Sequence, residues 1–341
     1  MTFLVRSAGG LNVSETLPNT PRKATVNTIY DLAEQTGLAA STISRVLNQR
    51  GRISLETRKR VIAAAREAGF KPRMSARQTA VAVVLDRMRY STYGGFIASL
   101  LTHLIEQIAG EDLAIEVYTE DNVSRLGSRF IDAIVALSWD RTTIDQLSKL
   151  SDLPIVVINR MDLPEFSAVA SDHHQGGRLV GEYLVKHGHT RIAFLGEEQD
   201  WGALQRLAGM REAIESGGGS FDEGLAAFTK HEPVYGALRR LLARKPTALF
   251  LAGEDLALEG TFILTDMLGV RAPKDLSLVG IENARVSHFT RPPLTTLCQP
   301  LERIAQDAIG VIVNQLASED TTPQQALLQN TIIERESVAS V

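Results

Sequence analysis

Few residues in this chain have the type and spacing to do chemistry. Seven histidines and one cysteine, Cys298, are the candidate metal ligands and nucleophiles. His187 and His189 form an H-x-H pair with His173 and His174 nearby in sequence, but that spacing supplies no closed ligand set and the cysteine is remote. The adjacent carboxylates Glu254 and Asp255 are the nearest approach to an acid–base pair. Neighbours in sequence point to different sides of a helix, so they do not converge on one atom. The G-x-S-x-G elbow, the phosphate-binding loop and the H-E-x-x-H helix are absent, so nothing calls for an enzyme or a cofactor. Residues 41–48 carry a different chemistry. Ser41, Thr42, Ser44 and Asn48 can donate to phosphate oxygens, and Arg45 can offer two donors to a guanine edge.

The elements that position them are short helices. Thr28 stands three residues before Asp31, a capping-box-like pair, and Ile29, Leu32 and Ala33 fall on one face. Gly37 permits the left-handed backbone that ends this helix. A second helix carries Ile43, Val46 and Leu47 inward and the polar set outward; Ala39 at its start forfeits a side-chain cap worth about 1 kcal/mol. A third has Ser54 as N-cap, Glu56 in its first turn, Val61, Ala64, Ala65 and Ala68 inside, and Gly69 as its stop. Two helices about a glycine turn, braced by a third, describe a helix-turn-helix. The alternative is a three-helix bundle that binds protein, or nothing.

At 341 residues the chain has room for two or three domains. Its net charge of −4 hides an asymmetry: residues 22–77 hold twelve Lys/Arg against four Asp/Glu, a local +8 that leaves −12 for the rest. A basic head on an acidic body concentrates attraction for a polyanion at one end. The lone Cys298 excludes an internal disulfide and suits a reducing cytoplasm. No apolar stretch is long enough to span a bilayer, and the first residues do not read as a signal peptide, so residues 1–24 are expected to be a disordered extension.

From residue 80 short apolar runs alternate with helical stretches. Strands are expected at 81–85, 114–118, 133–137, 155–158, 168–170, 192–195, 248–251 and 276–280, and helices near 95–109, 142–150, 174–187, 202–215, 234–244 and 255–268. That alternation argues for an α/β fold in which helices cover parallel sheets, as two doubly wound lobes with a cleft between them.

The run 28–48, the S-x-x-T-R-x-R-V of 54–61 and the A-G-F-x-P of 68–72 closely resemble the LacI/GalR family of transcriptional repressors. Landmarks further on include G-G-R-L-V-G at 176–181, G-H-T-R-I-A-F-L-G at 188–196, D-L-S-L-V-G at 275–280, P-P-L-T-T at 292–296 and I-E-R-E-S at 333–337. The resemblance covers about residues 26–338. It implies a helix-turn-helix domain at 25–72, a connector at 73–79 and an effector-binding and dimerisation domain at 80–338, similar to periplasmic sugar-binding proteins. Lobe 1 would span about 80–170 and 300–326 and lobe 2 about 171–298 and 327–338, with crossings near 170, 298 and 327. At 120–130, where the family has a longer helix, the sequence implies an abbreviated or missing one.

The resemblance also implies roles. Asn27, Tyr30, Thr42, Ser44 and Asn48 would meet phosphates, and Ala40, Ser41 and Arg45 would face base edges, with Arg73, Ser75 and Arg77 of the connector also on DNA. In the family the connector folds on DNA into a hinge helix, and a leucine wedges into the minor groove. Thr79 stands at that leucine position, and 73–79 would extend only about 10 Å as helix. The basic run 58–60 reads as a solvated helix face rather than a phosphate patch. For an effector, Arg206 matches a ligand-gripping arginine, Glu282 stands where an aspartate accepts from hydroxyls, Tyr235 matches an aromatic wall, and Tyr93 and Phe96 would supply the opposite lobe. Each has a structural alternative: Arg206 could pair with Glu282, and the aromatics could be core. Gly253 replaces an asparagine common in sugar-binding relatives. The expectation is therefore a cytoplasmic homodimer that binds a double-stranded DNA operator and a small-molecule effector, a carbohydrate foremost, without a membrane partner. The alternatives are a DNA-binding regulator that responds to a partner protein, and a small-molecule-binding protein without regulatory DNA contact.

Overall fold

The computed structural model describes residues 28–47, 53–67, 70, 78–85, 95–128, 131–138, 140–150, 153–197, 200–229, 232–283, 286–318 and 322–341. The chain divides into two compact units, a head before Gln78 and a body of Gln78–Val341.

In the head, α1 (Ile29–Thr36), α2 (Ala40–Leu47) and α3 (Leu55–Glu67) pack Leu32, Ile43, Val46 and Val61 into a fully buried core. Thr28 Oγ1 accepts from the Asp31 N–H at 3.2 Å, and Asp31 Oδ2 accepts from the Thr28 N–H at 2.9 Å, a complete capping box. Gly37, at φ 65°, closes α1 in the left-handed region. Ala39 starts α2 through its carbonyl alone, which accepts from the N–H groups of Thr42 and Ile43 at 2.8 and 3.1 Å. Ser54 Oγ caps α3 by accepting from the Thr57 N–H at 3.2 Å. Two expectations need correction. Arg58 is buried, at 6% exposure, so the 58–60 run is not simply a solvated face. Arg60 donates to the carbonyl of Thr36, a basic side chain satisfying a free acceptor at a helix end. Leu47, Ala64 and Ala65 are half-buried rather than inside, and Ala68 and Gly69 lie outside the described residues.

The body opens with β1 (Ala80–Leu85), α4 (Phe96–Gly110), β2 (Ala114–Thr119), a 3-10 turn (Val123–Ser128), β3 (Ala133–Leu137), α5 (Arg141–Leu147), β4 (Ile155–Ile158) and β5 (Ser167–Ser171). The chain then builds a second layer set: α6 (His173–Lys186), β6 (Ile192–Gly196), α7 (Trp201–Ser216), β7 (Ala226–Phe228), α8 (Val234–Leu242), β8 (Ala248–Leu251), α9 (Glu254–Phe262) with a π turn (Ile263–Met267), β9 (Ser277–Ile281) and β10 (Thr295–Cys298). It returns to the first lobe for α10 (Leu301–Ala317) and β11 (Gln325–Leu328), and ends on the second with β12 (Thr331–Ile333). The lobe-1 sheet runs β11-β5-β4-β3-β1-β2, all parallel; the lobe-2 sheet runs β12-β10-β9-β8-β6-β7, parallel except for β12. The central strands are buried on both faces, which is why they read as unbroken apolar runs.

Each strand expected from the sequence is present within two residues of its bounds, but β7, β10, β11, β12 and α10 are not among those expected. Three of those strands lie at sheet edges, and β11 and β12 contain no buried residue, so they lack the apolar run that marks a buried strand. α10 does carry a helical signal: Ile304, Ala305, Ala308, Ile309 and Ile312 are buried against Leu100, Leu104 and Ile108 of α4. The 3-10 turn at Val123–Ser128 stands where an abbreviated helix is expected.

Lobe 2 has its tightest contact between α6 and α7. A Cβ on Gly177 would lie 1.9 Å from the Arg206 carbonyl oxygen, and one on Gly209 1.9 Å from that of His174. On the same faces, a Cβ on Gly181 would meet the Ala213 Cβ at 2.6 Å. Glycine is needed here for close approach. Gly177→Ala or Gly209→Ala should therefore destabilise the body by about 3 kcal/mol or more, because backbone rather than a flexible side chain must move. Thermal melts should show the loss, whereas Gly310→Ala, whose Cβ would meet nothing within 4 Å, should melt like the wild type.

Candidate nucleic-acid interface and interlobe cleft

On the head, α2 presents Ser41 and Arg45 exposed and Ala40, Thr42 and Ser44 half-buried along one side, while Ile43 and Val46 point into the core. Tyr30 on α1 is 71% exposed. Of the expected DNA-facing residues these are the ones described; Asn27, Asn48, Arg73, Ser75 and Arg77 lie outside the described residues. A helix bearing hydroxyls and a guanidinium, held by a capped partner helix that buries Leu32, has the groups to fix phosphates and read a groove edge. At the connector, Gln78 and Thr79 belong to the body. Gln78 Nε2 donates to the Asp112 carbonyl and carboxylate at 3.0 and 2.8 Å, and the Thr79 carbonyl accepts from the Ala114 N–H at 2.8 Å.

In each lobe the strand order reverses beside the first strand, at β1/β3 in lobe 1 and at β6/β8 in lobe 2, and doubly wound sheets hold ligands outside the strand ends at that reversal. Gly95 and Phe96 follow β1, and Ser138 and Asp140 follow β3. Asp200, Trp201 and Arg206 follow β6, and Glu254 follows β8. The two sets meet: Glu254 accepts a hydrogen bond from the Phe96 backbone N–H, and Asn283 holds the same carboxyl from the lobe-2 side.

Arg206, 4% exposed, is engaged by the protein itself. It donates to the Ala252 carbonyl at 3.0 Å, to His173 Nδ1 at 3.1 Å and to Asp200 at 3.4 Å. Arg206 does not pair with Glu282. Glu282 accepts a fork from Arg335 at 2.8 and 2.9 Å and a further bond from Thr296, so Arg335 is its partner. No local spacing links these positions. The Phe96 side chain is half-buried on the lobe-1 core, and its contribution to the cleft comes from its backbone. Tyr235 is 37% exposed with the Arg239 guanidinium 5.9 Å from its ring centre, and Tyr93 lies outside the described residues.

The four histidines His173, His174, His187 and His189 are engaged by the protein itself. His189 is held between Thr247 Oγ1 and the Ala339 carbonyl, each at 3.0 Å, and His187 Nδ1 lies 2.8 Å from the Tyr183 carbonyl. His174 pairs with Glu212, and His173 stacks edge-on to Trp201 at 5.6 Å. Burial and the Arg206 charge hold His173 well below the usual histidine range, so it is a neutral acceptor. Among the described residues no group of three or more His, Cys, Asp or Glu could hold a metal, and no helix is long and apolar enough to cross a membrane.

Residues 28–73 match the family model for bacterial regulatory proteins of the lacI family, and residues 181–338 match a periplasmic-binding-protein-like domain. The chain belongs to the LacI family. Among curated relatives, the HTH-type transcriptional repressor PurR of Erwinia tasmaniensis is 28% identical over 333 residues, covering 92% of this chain and 97% of the relative. PurR of Pectobacterium carotovorum is 26% identical over 332 residues with the same coverages. Among solved structures, the transcriptional regulator CelR–cellobiose complex superposes with a TM-score of 0.69 at 27% identity over 91% of this chain and 99% of that one. The Lac repressor dimer bound to operator and an anti-inducer shares the fold, with a TM-score of 0.64 at 21% identity over 92% and 99%. The protein is thus a LacI-family transcription regulator with a helix-turn-helix DNA-binding domain. The family is one of regulators, not enzymes.

Within this LacI-family cleft Glu254 has an unusual state. Burial first, then the charges of Asp255 and Glu282, push its carboxyl up to about 8, against the opposing bonds from Asn283 and Phe96. A group with a raised native pKa takes up a proton on folding. The stability this contributes is full below the unfolded value near 4.5 and is lost as pH rises through about 8. Glu254→Gln, neutral throughout, should melt much like the wild type at pH 5. By pH 8.5 it should exceed the wild type by a few kcal/mol, since the charged form loses about 1.4 kcal/mol for each pH step between the two values. Parallel melting curves for the two proteins across that range would refute the assignment.

Proposed function

We propose that this protein is a repressor that binds a pseudo-palindromic operator as a homodimer and is controlled by a small molecule, a sugar or sugar derivative, bound between the lobes. The observation that carries the reading is α2, whose outer side offers Ser41 and Arg45 while its inner side is locked into the head. A two-fold dimer addresses a palindrome because each head meets one half-site. A carbohydrate ligand draws support from the cellobiose complex of the 27%-identical relative, and repression from the relatives named PurR. Arg206, Glu282, Phe96, Tyr235 and Tyr93 are the proposed cleft contacts, with Ser138 and Asn283 added by their positions at the strand ends.

One observation favours a second reading, a regulator without a small ligand. Arg206 already makes bonds to Ala252, His173 and Asp200. Thermal-shift measurements against cellobiose and a panel of mono- and disaccharides separate the two. A concentration-dependent rise in the body's melting temperature supports the first reading, and no shift across the panel supports the second.

For the head, Arg45→Ala should weaken operator binding by about 1–3 kcal/mol while leaving the melting profile unchanged. Wild-type affinity should fall steeply with salt as phosphate contacts release counterions. An unchanged operator preference in the mutant, read by fluorescence anisotropy on operator variants, would remove Arg45 from base readout. For the connector, Thr79 is held at Ala114 and is a poor wedge, so DNA bending should be weak. A sharp central kink in phased-bend gels would contradict this.

A further inference from the structure

We propose that Glu254 is the latch of the interlobe cleft: its carboxyl, on the first turn of a lobe-2 helix, holds the first amide of a lobe-1 helix, and the lobes part only when that contact breaks. Phe96 is the first residue of α4, and the first four N–H groups of a helix have no acceptor within it. The usual remedy is an oxygen on the N-cap side chain. Here the N-cap is Gly95, which has none and makes no side-chain cap bond. Glu254 supplies the oxygen from the other lobe.

A second observation fixes the approach independently of that hydrogen bond. A Cβ built on Gly95 would lie 3.7 Å from Glu254 Cδ and Oε1 and from Asp255 Oδ1, so both carboxylates stand directly beside the start of α4, about one methyl group away. Gly95 itself sits at φ 93°, a conformation side chains rarely adopt. On the lobe-2 side, the Asn283 side chain donates to the same carboxyl and keeps it from turning back to its own helix. The contact thus spans the reversal points of both sheets, where a ligand entering between the lobes must pass it or replace it.

Glu254 is a positioning residue, and its test reads the amide it holds. Hydrogen exchange resolved to single amides is compared in the full-length wild type, Glu254→Ala and Glu254→Gln at pH 7. The Phe96 amide should lose about tenfold or more of its protection in Glu254→Ala and keep it within about threefold in Glu254→Gln, whose amide oxygen still accepts. The α9 amide of Ala257, bonded to the Gly253 carbonyl at 2.8 Å, should exchange alike in all three. Equal Phe96 protection in Glu254→Ala and wild type would overturn the latch. So would a loss shared equally by Ala257, since Glu254 would then merely support its own helix. The link to DNA rests on the regulatory reading above and is read separately. Loss of Phe96 protection with unchanged operator affinity supports the latch while rejecting its coupling to the head.

Discussion

Three times the body's chain leaves one sheet for the other, and at the first and third crossings side chains must satisfy peptide groups that the sheets do not. An unpaired buried peptide group costs about 1–3 kcal/mol, so the crossings dictate which side chains stand beside them. The solution is amides, which carry donor and acceptor on one short stem. Asn330, at the third crossing, donates to the Asp172 carbonyl at 2.6 Å and to Gln175 at 3.2 Å, and accepts from Ser171 Oγ at 2.6 Å. Asn159 accepts from the Ser171 N–H at 2.9 Å and donates to Gln299 at 3.2 Å, joining the first crossing to the second. Asn159 also sits at φ 55°, in the left-handed region that asparagine tolerates better than most residues. The three strands of the hinge are therefore fastened to one another, and motion between the lobes must turn about them as a unit.

With the hinge fixed at the crossings, the reversal points of the two sheets are brought opposite each other, and electrostatics then decides what they can hold. Among the acids at the lobe-2 strand ends are Asp200, Glu254, Asp255 and Glu282, and three of these four are offset in different ways. Asp200 pairs with Arg206, Glu282 is forked by Arg335, and burial with the neighbouring Asp255 charge pushes Glu254 toward its neutral form. A wall whose acids are mostly offset in place and whose remaining charge is negative suits an uncharged hydroxyl-rich ligand better than an anion. That is the physical reason for preferring a sugar over an anion in the proposed reading.

The head is legible in the sequence because its determinants are local. Thr28 and Asp31 lie three residues apart, Gly37 ends its own helix, and Ile43 and Val46 share a face by spacing alone. The central strands are legible for a related reason, since burial on both faces leaves an unbroken apolar run. What is not legible is long-range. Glu282 and Arg335 are 53 residues apart, and nothing near either one announces the other. Glu254 and Asp255 diverge on their helix as adjacent carboxylates must. That divergence bears on catalysis and is blind to a partner amide in another lobe. Arg58 lies in a basic run that reads as surface, yet tertiary packing covers it. The edge strands are hidden because half-exposed short segments carry no pattern that local reasoning can use.

Arg206 ties these parts together. Its acceptors come from three places: His173 at the first crossing, Asp200 after β6, and Ala252 at the end of β8, two residues before Glu254. A ligand that draws the terminal nitrogens of the guanidinium toward itself must compete with bonds they already make, while the buried Nε has no partner among the described residues, so only part of the ligand's gross interaction energy can appear as affinity. The displaced partners lie at the hinge on one side and beside the interlobe contact on the other. A ligand can favour one lobe arrangement only through contacts that differ between arrangements. Exchanging the internal partners of Arg206 does not by itself provide such a difference, because Arg206 and its three acceptors all belong to lobe 2 and move together. In this chain the buried arginine thus organises the lobe-2 side of the cleft, and a preference between arrangements must come from contacts that span the lobes, as Glu254 with Phe96 does.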